Sequence, residues 1–242
     1  MTTTHTNNHQ SDRKRRIFVI AFLILLGLAA AITSDAQNHY TRNTKVYRGF
    51  SGSFGVRTSK YSSNIAELNN AYAEQTGGQI GLVAGNDVWK VRLGILGYYS
   101  LTSGFAGQVD LYENNVLANF YPLGLVMQKK TKFNPYLVGG LSSGLAKLHG
   151  HYASRDGGPV NYSSFDAPYI GSIHSVRSVI GAGVDFKIID DFDFVHLFTE
   201  VTYGMNLLQT TKSEVLEGTR TNNQMAVNVG LRFGSHRKKS NH

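Results

Sequence analysis

From Trp89 to Tyr99, large apolar side chains alternate with charged or small ones. Trp89, Val91, Leu93, Ile95 and Tyr99 stand at odd positions, and Lys90, Arg92 and Gly94 at even ones. Successive side chains of a strand point to opposite faces, so such a segment is apolar on one face and charged on the other. In a globular core, two charges flanked by large apolar residues would be costly. A strand that meets lipid on one side and a narrow polar lumen on the other carries the same pattern naturally, in segments of roughly 10 residues.

Seven further segments carry this pattern in some form. Residues 46–58 set Val46, Phe50, Phe54 and Val56 against Ser51, Ser53, Gly55 and Arg57, with Arg48 breaking the apolar column near one end. Residues 77–86 set Ile80, Leu82 and Ala84 against Gln79, Gly81 and Gly85, and Asn86-Asp87 makes a tight turn. The fourth segment slips phase, since Val109 and Leu111 are odd whereas Val116, Ala118 and Phe120 are even. Either a β-bulge near Asn114-Asn115 or a later strand start restores one apolar face. In 135–147, Leu137, Leu141 and Leu145 are assigned outward.

Residues 175–187 set Val176, Ile180, Ala182, Val184 and Phe186 against Ser175, Arg177, Gly181, Gly183 and Asp185. Residues 194–204 set Val195, Leu197, Val201 and Tyr203 against His196, Glu200 and Thr202. The last, 224–233, alternates fully, with Met225, Val227, Val229, Leu231 and Phe233 on one face and Arg232 on the other. The fold class this predicts is all-β: an eight-stranded antiparallel up-and-down transmembrane β-barrel. An even strand number puts both ends of the mature chain on one side of the membrane. Connections at about residues 59–76, 101–107, 148–174 and 205–223 then lie outside and those at about 87, 123–134 and 188–193 on the periplasmic side, which mostly follows the long-outside, short-periplasmic rule, 123–134 being longer than that rule favours.

The first 36 residues differ from the rest. The basic cluster Arg13, Lys14, Arg15, Arg16 precedes an apolar run from Ile17 to Ile32, and Ser34-Asp35-Ala36 places small residues at −3 and −1 of a cleavage site. This reads as a cleavable N-terminal signal peptide spanning 1–36. The alternative is an uncleaved anchor, because the run approaches the roughly 17 to 25 residues that span a bilayer. The division that follows is a periplasmic N-terminal segment at 37–45, the barrel at 46–233 and a basic C-terminal tail at 234–242.

Residues 37–242 hold 20 basic and 14 acidic side chains, a net charge of +6. The basic residues are mostly scattered, and an exported chain does not routinely meet nucleic acid, so no nucleic-acid partner is expected. There is no cysteine, which rules out disulfides and thiolate metal sites. The 26 glycines suit tight turns and close backbone approaches in sheets and disfavour a helical bundle. Aromatic girdles mark both interfaces of membrane barrels. Tyr47, Trp89, Phe120, Tyr121, Tyr136, Phe186, Phe194 and Phe233 fall at the periplasmic strand ends, and Tyr98, Tyr99 and Tyr203 at the other.

The segment LANFYPLG (117–124), followed by NPYLVGGLSSGLA (134–146), together with LFTEVTYG (197–204) and the alternating last strand, resembles the small OmpA-like and OmpX-like outer-membrane barrels of Gram-negative bacteria, of porin-family type. The resemblance implies an outer-membrane location, with outer-membrane lipid and the barrel assembly machinery as partners. It implies no activity. Two departures stand out: nine residues follow Phe233, and no peptidoglycan-binding domain follows the barrel.

The inward column collects Arg57, Lys90, Arg92, Arg177, Asp185, Glu200 and Arg232, expected to form a barrel-interior charge network because a barrel this narrow has room for little else. Glu200 should sit beside at least one cation. In the longest outer connection, His149, His151, Tyr152, Arg155 and Tyr162 offer a polar, aromatic contact surface for an unknown ligand. Histidine with serine and an acid would instead suit a lipid-modifying barrel enzyme. A soluble lipocalin-like barrel would need an apolar interior. No cofactor, metal or catalytic residue is expected, and the reading is a non-enzymatic protein with a structural or surface-interaction role, without a large open pore. Asn64 and Glu67 suit the capping of a short helix over 65–74, with Ile65, Leu68 and Tyr72 on one face.

Overall fold

A computed structural model of the chain describes residues 45–64, 68–100, 107–126, 132–150, 169–188, 195–213 and 216–238. The signal peptide and the periplasmic segment expected before the barrel lie outside them. The compact unit Lys45–Arg237 is built from eight strands. These are β1 (Lys45–Ser62), β2 (Tyr72–Gly85), β3 (Trp89–Ser100), β4 (Gly107–Phe120), β5 (Phe133–Gly150), β6 (Tyr169–Lys187), β7 (Val195–Lys212) and β8 (Arg220–Lys238). They pair in sequence order as a closed antiparallel barrel. Closure is what lipid demands, since an open edge would leave unpaired backbone groups in hydrocarbon. One short helix, α1 (Leu123–Val126), follows β4.

The exterior is aliphatic. Phe50, Phe54, Ile80, Leu82, Val91, Leu93, Val116, Leu137, Ile180, Val201, Met225, Val227 and Val229 are all exposed, while the residues between them are covered. Water would penalise such a surface heavily, whereas lipid does not. The barrel is therefore a membrane-spanning one.

Three departures from the expected pattern share one cause. The strands are longer than their apolar-outside stretches. At 18 or 19 residues, β1, β5, β6, β7 and β8 run about 60 Å along the strand, or about 45 Å in height at the usual tilt, against an apolar band about 25 Å tall. Beyond the band the polarity inverts. Val109, Leu111, Ala146, Leu148 and Ile173 point inward, and with Tyr61, Ala73 and Tyr99 they form an apolar core. Outside, the same strands show Glu74, His174, Thr210, Lys212 and Arg220. A strand reading that requires apolar-outside ends too early, so the connections are shorter than expected: β1 reaches Ser62, β5 reaches Gly150, and β8 begins at Arg220 and runs on past Phe233.

The fourth segment contains neither the bulge nor the late start. β4 pairs with β5 without a break from Gly107 to Phe120, and Val109 and Leu111 are simply interior. The bulge lies in β3, where the register shifts between Gly94 and Gly97 and both Ile95 and Leu96 face outward. One extra residue swaps the faces above it, so Tyr98 is exposed and Tyr99 is interior.

The helix expected over 65–74 does not form across its second half. Residues 72–74 open β2, paired with Lys60, Ser59 and Thr58 of β1. A ten-residue helix is marginal alone, and ladder bonds on an existing strand outcompete it. Residues 65–67 lie outside the described part. Leu68 turns into the barrel mouth, and Asn70, with φ of 62°, redirects the chain into β2. From the opposite side Leu216 enters the same core. The two connections are tied together by a 2.7 Å hydrogen bond between the Ser63 and Thr219 hydroxyls. Because Ile173 is fully enclosed here, Ile173→Val should cost about 0.5–1.5 kcal/mol in reversible denaturant unfolding. A loss below that range would mean the mouth is loosely packed.

Candidate functional site

The lumen is the feature that the whole barrel builds. Inward positions of neighbouring strands bring charged side chains to two levels, each held by carboxylates. At the level nearer the chain ends, Asp185 of β6 takes Arg232 of β8 at 2.5 Å and Lys90 of β3 at 3.6 Å. Glu200 of β7 takes Arg92 of β3 at 2.7 Å. Tyrosines fill the remaining bonding capacity. The Tyr121 hydroxyl donates to Asp185 Oδ2 at 2.6 Å and accepts from Arg232 Nη1 at 2.7 Å. The Tyr136 hydroxyl donates to Glu200 Oε2 at 3.1 Å and accepts from Arg232 Nη2 at 3.0 Å. The two carboxylates are thereby joined through one guanidinium.

Rings stack on the cations as well. Lys90 lies 4.3 Å from the centroid of Tyr121, and Arg232 lies 4.3 Å from that of Phe198. The Tyr136 ring reaches the lumen because its register partner is Gly183, where a Cβ would collide with the ring and its hydroxyl. Glycine here is an interior cut-out for an aromatic.

At the second level, toward the mouth where Leu68 and Leu216 pack, Glu113 of β4 sits between Arg57 at 3.1 Å and Arg177 at 3.8 Å. Arg57 also donates to the Tyr99 hydroxyl at 3.2 Å and lies over its ring. Between the levels remains a cavity of about 20 Å³ lined by Arg57, Arg92, Gln79, Asn115, Glu113 and Glu200 among others. That is room for about one water molecule. The buried Gln79 Nε2, Asn115 Oδ1 and Asn228 Oδ1 have no protein partner and face a space that a water would satisfy.

All seven charged residues singled out from the sequence are thus interior and engaged. The sequence reading missed Glu113, which balances Arg57 and Arg177. It lies in the odd column of β4 with Asn115 and Asn119, visible once that strand is read straight. Tyr47, Tyr99, Tyr121 and Tyr136 were expected in the aromatic girdles and are instead enclosed in the lumen. A hydroxyl that bonds a carboxylate and a ring that covers a cation are worth more there than at an interface. Trp89, Phe120, Phe186 and Phe233 remain on the outside at the end where β1 begins, joined there by Phe133, as do Tyr98 and Tyr203 at the other end. Phe194 lies outside the described residues.

Of the expected contact surface, His149 sits at the end of β5, 4.0 Å from Asp110 and ring to edge with Tyr169. His151, Tyr152, Arg155 and Tyr162 lie outside the described residues. A serine and a histidine do meet on the exterior, Ser143 Oγ and His174 Nε2 at 3.2 Å. Among the described residues no carboxylate joins them, and no cluster of metal-ligating side chains is present.

A closed eight-stranded barrel with an aliphatic exterior and a charge-paired lumen defines the class: the fold is that of the small integral barrels of bacterial outer membranes. Among solved structures, Neisserial surface protein A matches with a TM-score of 0.50 at 14% identity, covering 77% of this chain and 97% of that one. OprG of Pseudomonas aeruginosa matches at 0.43 and 13% identity, covering 81% and 97%, and a major outer-membrane protein of Thermus thermophilus at 0.43 and 13%, covering 77% and 99%. The similarity is one of fold. No protein-family model matches the chain, and no curated protein matches it.

Proposed function

We propose that this chain is a non-enzymatic outer-membrane barrel that serves as a rigid mount for surface-interacting connections and conducts little or nothing through its lumen. The carrying observation is how thoroughly the lumen is filled. Two charge levels separated by space for about one water lie beneath an apolar plug to which Leu68 and Leu216 contribute. Side chains that are paired, hydrogen-bonded and ring-stacked do not leave a diffusion path. What varies freely in such a design is the set of connections at the plugged end, the longest of which spans residues 151–168. Their composition, rich in Tyr, Ser, Gly and Asn, suits adaptable contact with a ligand or a cell surface. A lipid-modifying role would need an acid beside Ser143 and His174.

The mature chain should fractionate with outer membranes and, without heating, run faster in detergent gels than after boiling, because a closed barrel unfolds slowly. In planar bilayers it should show no large steady conductance. Replacing residues 151–168 with a short Gly/Ser linker should leave gel mobility unchanged and remove binding of chain-displaying cells to other cell surfaces. Recovery as a soluble periplasmic protein, or an open-pore conductance, would overturn the barrel-mount reading. Release of fatty acid from outer-leaflet glycolipid that disappears in Ser143→Ala would overturn the non-enzymatic one.

A further inference from the structure

The polarity inversion leaves a set of outward side chains immediately beyond the aliphatic belt, and on β5 and β7 these include two lysines. Lys147 of β5 is the register partner of Ser172 of β6, and Ser172 is the partner of Lys212 of β7. The two lysines therefore stand two strands apart, with about 10 Å between their backbones, flanking a small hydroxyl side chain. One step nearer the belt, exposed His174 pairs with exposed Thr210. On its other flank Lys147 faces Asp110 of β4 in register, and Glu74 stands farther round on β2.

Neither lysine is spent on an ion pair. Lys147 rests its ammonium 5.2 Å from the Tyr112 ring, and its register partner Asp110 is engaged elsewhere, by Ser100 at 2.5 Å, Gln108 at 2.9 Å and Tyr98 at 3.3 Å. Among the described residues no carboxylate lies within ion-pair distance of Lys147 or Lys212. Unpaired cations spaced about 10 Å apart make a cradle for a tetrahedral dianion, since each ammonium reaches inward on a flexible stem above the enclosed Ser172.

Height decides between possible anions. Directly below the cradle on the same strands lie Leu145, Val176 and Leu208, the last of these 59% exposed, as lipid-facing side chains. An anion in the cradle would sit at the junction of acyl chains and headgroups, with hydrocarbon packed on the aliphatic residues below. We propose that Lys147 and Lys212 hold a phosphate group of an outer-leaflet glycolipid, a lipid annulus fixed to the β5–β7 side of the barrel. This rests on the reading of the barrel as an outer-membrane protein with its plugged end outward.

The test is titration of the full detergent-solubilised chain with a bisphosphorylated lipid A-type glycolipid, with bound lipid counted by native mass spectrometry. The Lys147→Gln, Lys212→Gln double variant should bind about 30-fold more weakly, from the contribution of a lysine near an anionic lipid surface counted twice. Lys147→Arg, Lys212→Arg should retain binding, and Arg48→Gln, exposed near the opposite end of β1, should change nothing. The dephosphorylated glycolipid should bind the wild type as weakly as the double variant binds the phosphorylated one. Equal affinity of the double variant and the wild type would overturn the inference, as would inorganic phosphate competing as effectively as the lipid. Failure of the membrane reading would show separately, as loss of wild-type insertion into vesicles.

Discussion

Glu200→Ala is expected to lower the unfolding free energy by about 3–5 kcal/mol, the range seen when one partner of a buried ion pair is removed. Glu200 is enclosed, and its two oxygens accept from Arg92 at 2.7 Å and from Tyr136 at 3.1 Å. Alanine strands both donors. Arg92 then faces the cavity without a countercharge, close to the level where Arg232 already holds the Tyr136 hydroxyl at 3.0 Å. Glu200→Gln keeps an acceptor for Tyr136 and removes only the charge, so its loss should be smaller. Pairing Glu200→Ala with Arg92→Ala should recover part of the loss, because no unpaired cation remains. Reversible denaturant unfolding in detergent or vesicles measures all three. A loss under about 1 kcal/mol for Glu200→Ala would mean that water reaches Arg92, and the filled-lumen argument would fail.

The inward facing of Arg92 and Glu200, though not their pairing, was legible from the sequence because β3 and β7 alternate cleanly where they lie. Elsewhere legibility followed the membrane band. Within it, apolar means outward, and residues such as Phe54, Leu82 and Val227 reveal their faces one by one. Above it, the rule reverses: Val109 and Leu111, which the alternation rule turns toward lipid through a bulge or leaves outside the strand, pack inside with Leu148 and Ile173. A pattern of alternation states that two faces differ, and solvent decides which one is buried. No single residue marks the level at which the solvent changes from lipid to water.

Tyrosines were the other blind spot. Tyr121 and Tyr136 sit beside Pro122 and Pro135 at strand ends, where an interfacial girdle and a lumenal network predict the same residue type. Gly183 was the available signal, since a glycine opposite a tyrosine in register marks an aromatic folded onto the backbone. Reading it requires the β5–β6 register, which the small residues on both faces of 135–147 leave undetermined. The bulge in β3 was hidden for a similar reason: Ile95-Leu96 supplies an apolar residue to the outside in either phase.

The second large effect belongs to the opposite face. Val229 lies near the middle of β8, opposite Thr199 of β7, with Val227 and Leu231 on the same face and nearly half of its surface exposed to lipid. Val229→Arg should cost about 2–4 kcal/mol, the range for a cation at the bilayer midplane, because no carboxylate or headgroup lies within easy reach of its side chain. Position along the strand then becomes a ruler. Met225→Arg, nearer the boundary, should cost less, about 0–1 kcal/mol if it reaches the headgroups, because a long cation there can snorkel outward. At Asn222, beyond the apolar band and exposed, arginine should be silent. The graded series Val229, Met225, Asn222 is what distinguishes a lipid-facing exterior from an exposed one in water, where all three substitutions would be equally mild. A flat series would invert the assignment of faces, and the membrane barrel with it.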